Sequence, residues 1–152
     1  MAITQAMATS FKVDLLNGVH AFGTTVTRGS TAADTFYLAL YTSSASLDAA
    51  TTAYTTSGEV ATGGGYNAGG QALSVATAPT DGGSGTTAFL DFDDEVWTSS
   101  TITARGAMIY NSDQSNKCVA VLDFGGDKTS TAGDFTVIFP AGNSTSAIIR
   151  IA

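Results

Sequence analysis

The stretch EVATGGGYNAGGQAL, Glu59 to Leu73, holds five of the chain's 17 glycines. Glycine-rich loops let backbone N–H groups close around phosphates, so nucleotide binding is the first chemistry to test. A Walker loop needs two glycines at the right spacing, followed by Lys and then Ser or Thr. Gly65 and Gly70 have that spacing, but Gln71 and Ala72 follow them. The dinucleotide fingerprint fails too: counted from Gly63 and Gly65, its third glycine falls on Ala68. No strand–loop–helix pattern surrounds the stretch. The reading left is structural, with glycines that permit positive φ or close approach of strands and Tyr66 anchoring the loop.

A second candidate is DFDDEVW, Asp91 to Trp97, which gathers Asp91, Asp93, Asp94 and Glu95. Clustered carboxylates can bind calcium, but an EF-hand register with a central Gly and a closing Glu is missing. Phe92 and Val96 interleave the acids as core anchors would, so a solvated strand end is the competing reading. A carboxylate pair can also hydrolyse glycosides, which takes a cleft that a sequence does not reveal. His20 is the only histidine. A serine triad would have to use it, yet no G-x-S-x-G elbow is present. A zinc site would need more His or Cys than His20 and the single Cys118 provide. Cys118 lies in the strand-like run KCVAVLDF and reads as a small apolar residue without a disulfide. Arg105, in ITARGAMIY, reads as a structural arginine paired to an acid or crossing an interface. No catalytic residue, metal ligand or cofactor is assigned.

These residues need a scaffold, and the totals bound it. At 152 residues the chain suits one domain with a hydrophobic core. It is 43% hydrophobic and only 12% charged, with a formal net charge of -7. Its surface is therefore dressed in Ser, Thr, Gly and Ala. Such a surface suits extended protein contact, although secreted β-proteins share it. The six Lys and Arg are scattered and form no basic patch, which argues against direct nucleic-acid binding. The N-terminus lacks the pattern of a signal peptide, and no apolar run reaches membrane-spanning length. The expectation is a protein made, and kept soluble, in a cytoplasm.

Residues 1–10 are small and polar around Ile3 and Met7, and read as an N-terminal arm that orders on a partner. Ser10 can cap a short helix over residues 11–22, with Phe11, Leu15 and Val19 on one face. From Thr35 onward the period is two. TFYLALYTS sets Phe36, Leu38 and Leu40 against Tyr37, Ala39 and Tyr41. QALSVATAP, TTAFLDFDDEVWTS, ITARGAMIYNS, KCVAVLDFGG, DFTVIFP and SAIIRIA read as further strands, with hairpin turns at TDGGSG and SDQSN. The expected fold is all-β: an antiparallel, jelly-roll-like β-sandwich over residues 11–152, with the short N-terminal helix and the arm.

From about Thr35 the chain resembles small virion structural proteins of tailed bacteriophages. The GYNAGG turn and the ARGAMIYN and AVLDFG strands carry most of that likeness. The resemblance implies a structural, non-enzymatic role in the particle. Within that class the reading is a capsid decoration, or cement, protein that coats the head as a homotrimer and binds the major capsid protein. Ile3, Met7, Tyr66 and Arg105 are the candidate interface residues. Many weak contacts on a shell gain strength by multivalency. Two alternatives stand beside it. One is a tail, neck or fibre-base component. The other is a carbohydrate-binding β-sandwich that stacks sugars on Tyr37, Tyr41, Tyr54, Tyr66 and Trp97.

Overall fold

The computed structural model of the chain describes residues 3–8, 15, 19–24, 32–80 and 87–151. Strands form where aromatic and branched residues run without interruption, and turns where Gly, Asn, Asp and Ser cluster. In chain order the described strands are β1 (Ala6–Met7), β2 (Phe36–Tyr41), β3 (Gln71–Ala72), β4 (Val75–Thr80) and β5 (Ala88–Phe92). They continue with β6 (Glu95–Ser100), β7 (Thr103–Asn111), β8 (Lys117–Thr129), β9 (Gly133–Val137) and β10 (Ile149–Ile151). Three sheets result, with orders β1-β8-β7-β2-β3, β10-β5-β4 and β6-β9. Every strand pairing is antiparallel. The fold is all-β, and no helix among the described residues is long and apolar enough to cross a membrane.

Strand β2 is the spine. Phe36, Leu38 and Leu40 are buried as the alternation predicts, but so are Ala39 and Tyr41 on the other face. A strand covered on both faces loses its polar side, and FYLALY has no charge to lose. The sheets are joined through aromatic rings. Phe22 stacks on Phe36 of β2 with centroids 4.2 Å apart, and Phe36 lies 6.0 Å from Phe92 of β5. Trp97 of β6 meets Phe135 of β9 edge-on at 6.2 Å and Tyr66 at 6.0 Å. Ring pairs of this geometry add to the area that they bury.

The β7–β8 hairpin closes as expected across SDQSN, with Asn111 opposite Lys117 and Ser115 and Asn116 both at φ 56°. Farther along, Gly106 faces Asp123 while Ala104 faces Lys128. Phe124 to Asp127 therefore stand as a bulge against the single residue Arg105. The turn expected at TDGGSG lies outside the described residues, but β4 and β5 on either side of it pair antiparallel.

Three expectations change. The helix over residues 11–22 lies largely outside the described residues, and its last part, 19–22, is not helical. There the Ala21 N–H donates to Asp34 Oδ2 at 3.2 Å and the Ala21 carbonyl accepts from Asp34 N at 3.2 Å. Those bonds take the groups that a helix would use. TTAFLDFDDEVWTS is two strands in two sheets, broken at Asp93 and Asp94. The Asp93 N–H donates to Ser74 O at 2.9 Å, and Asp94 Oδ1 accepts from Phe139 N at 2.8 Å, so the acids build a corner.

The third change is the arm. Residues 3–8 are docked on the protein's own sheet: Ala6 pairs with Val121 and Met7 with Ala120. Ile3 bridges Leu47 and is 5% exposed, and Ala8 is fully buried. Ile3 fits against the bare backbone of Gly106, where an added Cβ would stand 3.1 Å from its Cδ1. Ile3 is thus a core residue. Ile3→Ala should lower the unfolding free energy by about 2–4 kcal/mol, measured by urea titration. A loss below about 0.5 kcal/mol, the range of a surface substitution, would show that the segment is not docked.

Candidate functional site

The glycine loop earns its place from the edge of β2. One edge of β2 is fully paired with β7, and β3 covers the start of the other through Tyr37–Ala72 and Leu38–Gln71. Beyond β3 the chain around Glu59 completes that edge. Val60 N donates to Leu40 O at 2.9 Å, and Thr42 N donates to Gly58 O at 2.9 Å. Between β3 and these two bonds the Leu40 N–H donates to the Tyr66 hydroxyl at 3.0 Å. A phenol thus stands where a sheet would place a carbonyl, and it saves a buried N–H from being stranded.

Tyr66 is positioned by Glu59. Glu59 Oε1 accepts from the Tyr66 hydroxyl at 2.7 Å and from Gly69 N at 2.6 Å, and Oε2 accepts from the Tyr54 hydroxyl at 2.6 Å. Hydrogen bonds to an ionised acceptor are short and strong, and these three satisfy a half-buried carboxylate. The Tyr110 hydroxyl donates to Gly69 O at 2.9 Å, and the Tyr110 ring stacks on Tyr54 at 4.7 Å. Burial first, and then the bond to Glu59, holds the Tyr54 and Tyr66 hydroxyls above the ordinary tyrosine range. Burial likewise pushes Tyr110 up to about 12. All three remain neutral donors near pH 7.

This geometry argues against a phosphate cradle. Five of the N–H groups that could cradle an anion are spent within the loop. Gly63 N donates to Tyr66 O at 2.8 Å, Tyr66 N to Gly63 O at 3.0 Å and Gly70 N to Asn67 O at 3.0 Å. Ala68 N donates to Thr62 Oγ1 at 3.0 Å, and Gly69 N is held by Glu59. The centre of the loop is a carboxylate, which repels phosphate. Gly64, Gly65, Gly69 and Gly70 all have positive φ, as the structural reading requires. Gly70, at φ +77°, is the tightest: a Cβ there would stand 1.9 Å from the Leu38 carbonyl oxygen. Gly69 has φ +96° but only Tyr110 Oη nearby, at 3.6 Å.

The other candidate residues are scattered. His20 is buried with its Nδ1 2.9 Å from Asn111 Nδ2, beside Phe22 and Phe36. Cys118 is fully buried, and burial pushes its thiol up to about 12, which leaves it inert as a nucleophile. The acids separate: Asp93 and Asp94 are exposed at the corner, while Asp91 is buried in β5. Glu95 is half-buried beside Gln71, whose amide bridges Glu95 Oε2 at 3.0 Å and the Trp97 indole at 2.9 Å. Among the described residues no three His, Cys, Asp or Glu side chains are grouped to hold a metal.

Of the candidate interface residues, Ile3 and Tyr66 belong to the core, at 5% and 1% exposure. Tyr66 is spent on Leu40 and Glu59, which leaves it no surface to offer a partner. Met7 is half-buried on β1. Arg105 pairs with Asp123, Nε to Oδ1 at 3.1 Å, and the same oxygen accepts from Gly125 N at 2.9 Å, so this ion pair braces the β8 bulge. The sugar-stacking platform does not assemble either. Tyr41, Tyr66 and Trp97 are buried, and the Tyr37 and Tyr54 rings stack on Tyr110. Glu59 itself was missed in the sequence. Its signal is isolation: it is the only charged residue between Asp48 and Asp81, with tyrosines on both sides.

No protein family, no curated protein and no solved structure matches the chain.

Two substitutions test the loop. Glu59→Ala strands the Tyr54, Tyr66 and Gly69 donors and should cost about 3 kcal/mol or more in denaturant unfolding. A cost under 1 kcal/mol would show the network to be incidental. Gly70→Ala should lose about 3 kcal/mol or fail to fold, because a backbone clash adds to strain, while Gly69→Ala should lose only about 1 kcal/mol. Equal melting temperatures for the two variants would contradict the packing of Gly70 on Leu38.

Proposed function

We propose that this protein is a non-enzymatic structural component of a tailed-phage virion, a decoration or cement protein that binds the major capsid protein and stabilises the shell. In this reading the three sheets are the parts of one antiparallel sandwich. The protein is made in the bacterial cytoplasm and resides in the virion as a homotrimer. The phage likeness of the GYNAGG, ARGAMIYN and AVLDFG segments supports the class. The exterior of the β6–β9 ribbon supports a role in contact.

That ribbon turns Trp97, Phe135 and Val137 inward and leaves Val96 and Ile138 outward, at 38% and 75% exposure. Val96 sits opposite Thr136, two residues before Ile138, so the three share the outer face. No further described strand pairs with either edge of this ribbon. Beside it runs a groove of about 400 Å³ lined by Phe124, Lys128, Phe135 and Ile138 among others. A partly apolar face with open strand edges gains from being covered. Closed cyclic symmetry is the usual form of self-association, and repeated copies on a shell turn modest contacts into stable coating.

Ile138→Asp tests this reading. The site is exposed, so the fold should survive with an unchanged melting temperature. Occupancy on purified capsids should fall roughly tenfold or more, the equivalent of losing one buried isoleucine at each contact. Undiminished coating by the variant, measured in particle reconstructions, would remove this face from the contact. Failure of the wild-type protein to bind capsids would reject the function.

A further inference from the structure

Strand β5 carries one side chain that its surroundings leave incomplete. Asp91 is 5% exposed, and its Oδ1 has no hydrogen-bond partner. The backbone N–H groups of Phe92 and Ile148 lie near enough to the carboxyl group to favour its ionised form. Ile148 leads from the turn at 140–148 into β10, which pairs with β5 through Ile149–Leu90, Arg150–Phe89 and Ile151–Ala88. The turn sits directly on the carboxyl. A Cβ added at Gly142 would stand 2.7 Å from Thr77 Oγ1 and 3.1 Å from Asp91 Oδ2. The turn is otherwise tied to itself: Asn143 Oδ1 accepts from Thr145 N at 2.9 Å and Ser146 N at 3.0 Å, and Ser146 Oγ donates to Ala141 O at 2.9 Å.

A buried carboxylate with one oxygen unsatisfied is costly when ionised and far less so when protonated. We propose that Asp91 is a proton-dependent clasp on the C-terminal segment 140–151, which is held when the carboxyl carries its proton and loosens when it ionises. The backbone N–H groups of Phe92 and Ile148 favour the ionised form, but burial outweighs them, and the charged neighbours act with burial or stand aside. Burial raises the proton affinity of Asp91 first, and Asp94 and Asp93 of the adjacent corner raise it further. Strand β4 and the turn at 140–148 contain no titratable side chain. On β10 the one charged group, Arg150, donates to Ser144 O at 3.5 Å. Docking therefore favours the protonated acid. Its contribution is complete below the ordinary aspartate value of about 3.9 and is lost as pH rises through the elevated docked value.

The experiment is amide hydrogen exchange on the full-length protein, corrected for the intrinsic pH dependence of exchange. Protection of residues 140–151 should fall between pH 4 and pH 7, while the β7–β8 hairpin stays constant. Each pH unit by which docking raises the Asp91 value corresponds to a tenfold change in the opening equilibrium. Asp91→Asn should abolish the pH dependence of this segment. Constant protection in the wild type, or the same pH dependence in Asp91→Asn, would overturn the clasp. A wild-type NMR titration gives a second reading that does not depend on the variant's folding. The Ile148 amide shift should follow the Asp91 carboxyl carbon with one midpoint, and separate midpoints would refute the coupling.

Discussion

The carboxylate of Glu59 ties the segment at Tyr54 to the glycine loop at Tyr66 and Gly69. A single ionised group receives two phenols and one backbone N–H. Taking such a charge partly out of water is unfavourable, and only well-placed donors reverse the balance. Here the donors are fixed by other means. Tyr54 is stacked on Tyr110, Tyr66 is wedged beside Trp97, and the Gly69 carbonyl is held by the Tyr110 hydroxyl. The edge of β2 depends on the outcome, because the Tyr66 hydroxyl can accept from Leu40 only where Glu59 holds it. The loop's glycines follow from the same constraint. They let the backbone approach β2 as closely as Glu59 and Tyr66 demand.

The exterior follows from how the interior was filled. Aromatic rings couple the sheets, and Ser100 and Ser130 satisfy each other locally, with hydroxyls 2.8 Å apart. Charges are few in the chain, and Thr, Ser and Ala together take more than half of the exposed strand positions. A surface of this kind is weakly hydrated, and its apolar points, Ile138 and Ile151, are more prominent for it.

The period-two pattern made most strands legible, because alternation reports a half-buried surface wherever one exists. It was least informative in β2 and β5, where both faces are buried and alternation carries no contrast. The corner at Asp93 and Asp94 was hidden because a chain that changes sheets keeps its strand-like composition on both sides. Ile3 was read as part of an arm because two apolar residues among small polar ones do not announce a core, and its socket at Gly106 lies about a hundred positions away. The glycine loop was legible as structural by elimination, since the phosphate motifs failed residue by residue. Its organising residue was not, because one glutamate has no periodicity. Arg105 could be read as paired to an acid, while the identity of that acid, Asp123, depended on the β7–β8 register.

The docking of residues 3–8 on β8 has a consequence for how the chain reaches this state. Ala6 meets Val121, so β1 leaves the ribosome more than a hundred residues before its neighbour does. Strand β2 must likewise wait for β7. Sheets built from such distant pairs close slowly, because the chain entropy of a long loop is lost before any contact rewards it. The β7–β8 hairpin, whose partners are adjacent in sequence, is the natural nucleus. Around it β2 is added on one side and β1 on the other. Synthesis order and assembly order are therefore opposed in this protein. Residues 3–8 stay exposed until β8 exists, and their small side chains, with Thr4 and Gln5 among them, limit the apolar surface shown during that wait.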